Sequence, residues 1–255
     1  MSALQLTLRQ VLYQNRAFWR NPPAAFFTVL FPLMFLVIFN LLFGSGEIEG
    51  TNVSLSTFYV PAITAFAVIS ASFTNIAMGV SFSRDSGLLK RLRGTPLPGW
   101  SYMAARVLHS TLIALLLTAV ATAAGALFYD VDVPTTTMPA VIVSVLLGAL
   151  AFSALGLAIT AVVPNAEAAP AVINGVILPL LFISDIYIPD DNAPEWLRAV
   201  ASVFPVKHFS EALQTPFDPF VTGSGFEWGH LAVLAVWGVI GLALAVRFFS
   251  WEPRR

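Results

Sequence analysis

The groups in this chain that could do chemistry are few: three histidines, fourteen carboxylates and thirteen basic residues among 255, with no cysteine. His109, His208 and His230 lie far apart along the chain. They read as isolated groups, without a histidine or carboxylate partner at metal-ligand spacing, so no metal site is expected. His109 and His230 fit better as residues at a membrane boundary. Without cysteine there is neither a disulfide framework nor a thiolate metal site. No G-x-x-x-x-G-K-[ST] phosphate loop occurs, and the Gly-rich stretch 44–50 has no lysine. These absences predict no catalytic residue, no cofactor on this chain and no enzyme activity of its own. The one dense constellation is SRDSGLLKRLRGTPLPGWSYMAAR, residues 83–106. Ser83, Arg84, Asp85, Ser86 and Gly87 lead into a two-turn helix. Its apolar face is Leu88, Leu89 and Leu92, flanked by Lys90, Arg91 and Arg93, and Gly94, Pro96 and Pro98 stop it. So short an apolar face cannot build a core. It suits either anionic lipid, through the basic residues, or a groove on a soluble partner, and the residues alone leave both open.

The elements that position this loop are membrane spans. The chain is 57% hydrophobic and 11% charged, against roughly 25% charge in a soluble domain. Its apolar residues come in blocks of the length that crosses a hydrocarbon layer about 30 Å thick. The blocks predict six transmembrane helices, at 24–43, 57–82, 107–129, 138–163, 168–186 and 230–248. The fold class is thus all-α integral membrane: one transmembrane domain over 1–255, an amphipathic interfacial helix at 1–20, a loop at 83–100 and short external re-entrant helices at 190–217. The first block follows a polar arm and has no small-residue cleavage site behind it, which argues against a signal peptide. With both ends placed in the cytoplasm, eleven of the thirteen basic residues fall on that side and only Arg198 and Lys207 outside. The basic bias sets this orientation.

Along the spans, Leu4, Leu8, Val11, Leu12 and Trp19 share one face of the N-terminal helix. In the second span Ala67, Ala71, Asn75 and Gly79 recur every four residues, the stripe through which helices pack closely. Ser70, Thr74 and Asn75, with the aromatic Phe66 and Phe73, would alternatively line a substrate path. Helix four offers Ser144, Gly148, Ala149, Ser153, Ala154 and Gly156 for close packing. Asn165 and Glu167 form a tight turn on the same side as the basic loop, and so a secondary contact for whatever lies beneath. No charge falls in the middle of a span, where ion-coupled carriers keep theirs; Asp185 lies at the external end of the fifth. Energy for uphill movement would therefore come from another chain.

This combination resembles the six-helix permease subunits of ABC-2 type exporters, which include daunorubicin-resistance-type, polysaccharide and teichoic acid exporters. The residues that carry the likeness are FWRNP at the end of the N-terminal interfacial helix, SRDSGLLKRLRGTPLP, ILPLLFISDIYIP, and PEWLRAVASVFPVKHFSEAL. The resemblance implies a bacterial plasma-membrane exporter, with N- and C-termini cytoplasmic, for a hydrophobic or amphipathic drug, lipid or lipid-linked glycan. It implies as partners two copies of a separate cytoplasmic ABC ATPase, which holds ATP and Mg, a second permease chain in a homodimer or heterodimer, membrane lipid, and no nucleic acid. Residues Ser83 to Arg93 would then be the coupling helix that docks in the ATPase. A scaffold that binds an ATPase without translocating anything is the alternative.

Overall fold

The computed structural model describes residues 2–43, 54–184, 186 and 194–252, and their regular structure is helical throughout. Helix α1 (Ala3–Trp19) opens on a capping box, in which Ser2 Oγ accepts from the Gln5 N–H and Gln5 Oε1 accepts from the Ser2 N–H. Asn21 then caps α2 (Pro22–Leu42), which carries a π-helical turn at Phe26–Leu30. Next come α3 (Leu55–Asp85), α4 (Leu88–Arg93), α5 (Gly99–Phe128), α6 (Met138–Ile159) and α7 (Ala169–Phe182). The short α8 (Glu195–Ala201) and α9 (Pro205–Gln214) precede α10 (Trp228–Phe248).

Five of these helices, α2, α3, α5, α6 and α10, are long and apolar enough to cross a membrane, and α7 is a shorter apolar sixth. The protein is an integral membrane, all-α bundle. Two limits differ from the sequence expectation. α3 continues through Ser83, Arg84 and Asp85, and α5 begins at Gly99, so the stretch between them is 86–98 where 83–100 was predicted. Polarity marks where a helix leaves the membrane, but hydrogen bonding carries it on to the next breaker, here Gly87 and Pro98. α7 has 14 residues, about 21 Å at 1.5 Å each, which is short of a full crossing. Asp185 and residues 190–193 of the predicted external segment lie outside the described residues.

α3 is the axis of the bundle. Every residue from Tyr59 to Ile69 is buried, with α2, α5, α6 and α9 around it. The small residues foreseen in helix four are where other chain segments approach. Gly148 faces the Phe209 ring of α9, and a Cβ on Gly156 would stand 2.7 Å from the Phe73 carbonyl oxygen. Ser110 and Ser153 hydroxyls meet at 2.8 Å between α5 and α6. The second-span stripe also packs: Ala67 and Ala71 are buried against Phe18, Ile113 and Leu117.

α1 lies along α5. Its inward face is Thr7, Val11 and Phe18, while Leu4, Leu8, Leu12 and Trp19 point away from the protein. Of the predicted apolar stripe only Val11 turns in, and the rest is free to lie on lipid. α9 is seated among the spans rather than on them. Val206, Phe209 and Leu213 are fully buried. Ser144 Oγ donates to the Ala212 carbonyl (3.2 Å) and Thr137 Oγ1 to the Pro216 carbonyl (2.7 Å).

Gly156 and Gly175 test the packing with one chemical change. Gly156→Ala pushes a methyl against backbone and should destabilise the protein by about 1–3 kcal/mol. A Cβ on Gly175 meets nothing within 4 Å, so Gly175→Ala should be neutral or stabilising by up to about 1 kcal/mol. Thermal unfolding of the two variants in detergent checks the contrast.

Candidate functional site

α3, α4, α5 and the α6–α7 turn meet at the basic end of the bundle. Gly87, with φ of 72°, turns the chain from α3 into α4, a left-handed conformation that glycine adopts without strain. α4 is rooted by Leu89, which is completely buried among Ile76, Val80, Tyr102, Leu157 and Ala245. Leu92 is half-buried beside this cluster. The outward side of α4 and its lead-in is Ser86, Leu88, Lys90, Arg91 and Arg93. This corrects the predicted face: of the three leucines taken together as a contact surface, Leu89 points into the protein and only Leu88 is well exposed. A short helix crossing the end of a bundle must anchor itself with one side, and Leu89 supplies that side.

Arg84 is a second correction. It is 1% exposed and donates from Nη1 to the Thr160 carbonyl (2.8 Å) and from Nη2 to the Val163 carbonyl. It is therefore an internal clasp between the end of α3 and the turn after α6. Asp85 Oδ2 accepts from the Ala166 N–H at 3.3 Å, tying the same two segments. Ser83 Oγ donates to the Gly79 carbonyl and accepts from Arg106, whose Nε also bonds the Tyr102 hydroxyl. Asn165 caps the lead-in to α7 through the Ala168 N–H, and Asn165 and Glu167 are exposed. The predicted secondary contact thus sits beside the segment leading into α4, bound to it through Arg84 and Asp85.

The five residues proposed to line a path are divided. Ser70–Thr74 is a π-helical turn inside α3, a feature often found at functional positions. Phe73 is buried in an apolar pocket of about 290 Å³ shared with Phe152, Ile177, Leu180, Val206 and Trp237. Asn75 lines a different cleft, about 520 Å³, with Gln10, Gln14, Leu88, Arg106 and His109. Phe66 packs against Phe35 of α2, with ring centroids 5.8 Å apart, while Ser70 and Thr74 are half-buried. Phe73 is the member of the set that reaches the apolar pocket.

At the opposite end, two histidines that read as isolated are not. His208, Glu211 and His230 converge, with their candidate ligand atoms all within 4.8 Å of one another. Part of the signal was legible, since His208 and Glu211 stand three apart on a helix and so share a side. The approach of His230 depends on packing across 22 residues.

The family model described as ABC-2 type transporter matches residues 5–217. The chain is 28% identical to the daunorubicin resistance ABC transporter permease protein DrrB1 of Streptomyces coeruleorubidus, covering 83% of this chain and 74% of that one. It is 22% identical to the putative transport permease YvfS of Bacillus subtilis over 96% of each. The putative transport permease ycf38 of Porphyra purpurea is 24% identical over 88% of this chain and 76% of its own length.

Replacing Arg84 by Ala leaves two buried carbonyls without their donor and unlocks the α3 end from the α6–α7 turn. The expected loss is about 2–4 kcal/mol of stability. Amide exchange should accelerate first in residues 160–168, as hydrogen–deuterium exchange with mass spectrometry would show.

Proposed function

Because the chain belongs to the ABC-2 type transporter family, we propose that it is the membrane-spanning permease subunit of an ATP-driven exporter whose separate ATPase docks on α4. The observation that carries this reading is the exposed side of α4, Leu88 with Lys90, Arg91 and Arg93, standing on a helix rooted by Leu89. One exposed apolar residue within a ring of cations suits a groove with an apolar floor and an acidic rim, the usual arrangement for a docked amphipathic helix. The basic loops at this end support a cytoplasmic side for it, the side on which ATP is held. Both termini then share that side.

In this reading two ATPase subunits carry ATP and Mg²⁺, and two permease chains stand side by side in the plasma membrane of a bacterium. Closure of the ATPase pair on ATP pushes α4. Since Arg84 and Asp85 tie the adjoining end of α3 to the α6–α7 turn, the push moves α3 and α6 together. A hydrophobic or amphipathic cargo is supported by the pocket around Phe73, Phe152 and Trp237, whose lining is entirely apolar. The drug-resistance name of the Streptomyces relative agrees with that class.

The experiment is co-purification of the full chain with an ABC ATPase subunit from the same organism, followed by substrate-stimulated ATP hydrolysis in lipid. Leu88→Asp, and separately Lys90→Glu with Arg91→Glu and Arg93→Glu, should weaken the complex tenfold or more, about 1.4 kcal/mol. Both variants should keep the parent melting temperature. Leu89→Asp should instead unfold the permease, because it buries an unpaired carboxylate. If the exposed-face variants hold the ATPase and its stimulated hydrolysis at parent levels, α4 is not the docking element.

A further inference from the structure

The cluster at the end of the bundle opposite α4 is independent of the transport reading. His208 and Glu211 lie on one side of α9, and His230 stands at the head of α10. His208 Nδ1 is 2.7 Å from His230 Nδ1, and His230 Nδ1 is 3.0 Å from Glu211 Oε2. All three side chains are half-buried. The second nitrogen of His208, Nε2, lies 2.8 Å from the Ser202 carbonyl oxygen. A carbonyl only accepts, so Nε2 carries the hydrogen and the neutral ring turns its Nδ1 lone pair to the cluster. The His230 Nδ1 hydrogen is then shared between His208 Nδ1 and Glu211 Oε2. Lys207 Nζ sits 3.8 Å from the other carboxylate oxygen, so one oxygen faces the ammonium and the other the imidazoles.

We propose that His208, Glu211 and His230 bind a divalent transition-metal ion of the zinc class, which pins α9 to the head of α10. Two imidazole nitrogens and one carboxylate oxygen match such ions better than the oxygen-only sets of Ca²⁺ or Mg²⁺. The site is close to the required geometry. Bonds of about 2.0–2.1 Å in a tetrahedral arrangement put donor atoms roughly 3.3 Å apart, so the two rings, now 2.7 Å apart at Nδ1, must part by about 0.6 Å while the three ligand atoms, all within 4.8 Å of one another, draw in around the ion. The metal takes the place of the shared His230 hydrogen. The Ser202 carbonyl holding His208 is the outer partner that a ligating imidazole commonly has. Three protein ligands leave a fourth position for solvent. Pro205 and Val206 of α9 and Trp237 of α10 line the apolar pocket, so the ion also fixes one wall of that pocket against the other.

The test uses the full chain without an affinity tag, purified in detergent and stripped with chelator. Calorimetric titration with ZnCl₂ should show one saturable ion per chain and a rise of several degrees in melting temperature. Co²⁺ should give the visible absorption of a four-coordinate ion. His208→Gln, Glu211→Gln and His230→Gln should each weaken Zn²⁺ binding at least tenfold, whereas His109→Gln should leave it unchanged. Absence of saturable binding, or affinity at the parent level in all three ligand variants, overturns the proposal. Should a variant lose its helicity, X-ray absorption of the zinc-loaded parent decides. Two imidazoles with a carboxylate are expected, and an all-oxygen shell refutes the site.

Discussion

A guanidinium buried at the end of the bundle is the constraint on which the basic face depends. Arg84 is almost wholly out of solvent, and a buried charge is tolerated only where its donors are met. The last carbonyls of a helix have the complementary difficulty, since no intrahelical N–H reaches them and the helix dipole leaves partial negative charge there. α6 ends at Ile159, and Arg84 donates to the carbonyls of Thr160 and Val163 just beyond it. The cation of α3 caps α6, and each group removes the penalty of the other. Bonds to charged groups of this kind contribute about 1.5–3 kcal/mol.

The rest of that face follows. With the end of α3 held, Gly87 turns the chain and Leu89 drops into a cluster contributed by α3, α5, α6 and α10. Asp85 takes hold of the α6–α7 turn from the other side, and Arg106 bonds back from α5 to α3. The exposed residues of α4 therefore sit on a joint made from several spans. A force applied to Leu88 or its neighbouring cations is delivered to α3, the most buried of the five long apolar helices among the described residues. A basic loop tethered only by its ends would dissipate that force.

The spans were legible because they rest on run length and hydropathy, which are properties of neighbouring residues. The same local reading grouped Leu88, Leu89 and Leu92 on one face. It could not tell which side of a two-turn helix a bundle would claim, nor that Arg84, one residue after a serine at the membrane boundary, would turn inward to α6. The carbonyls that Arg84 meets lie 76 and 79 residues away along the chain, and the cluster that claims Leu89 reaches as far as Leu157 and Ala245. The small residues of helix four were recognised as packing positions, but that Phe209 would fill the notch at Gly148 required the fold. The convergence of His230 on His208 and Glu211 was hidden for the same reason, although the His208–Glu211 spacing was in view.

The two ends of the bundle are fastened by unequal means. α7, at about 21 Å, stops short of the far side, and α8 and α9 stand between it and α10 in the chain. Backbone at that depth must be helical or enclosed by protein, and α9 is both. Its carbonyls at Ala212 and Pro216 receive hydroxyls from Ser144 and Thr137 of the α6 region. These neutral bonds contribute only about 0.5–1.5 kcal/mol each. The main hold on α9 is burial of Val206, Phe209 and Leu213, at about 1.5–3 kcal/mol per side chain. Apolar contact is non-directional, so it lets a helix slide while staying buried, whereas the Arg84 clasp has a fixed geometry. The basic end is thus held by directional bonds, while the pocket between α6, α7, α9 and α10 is bounded by a helix whose hold is mainly apolar, and it is there that a metal ion on His208, Glu211 and His230 would add a directional tie.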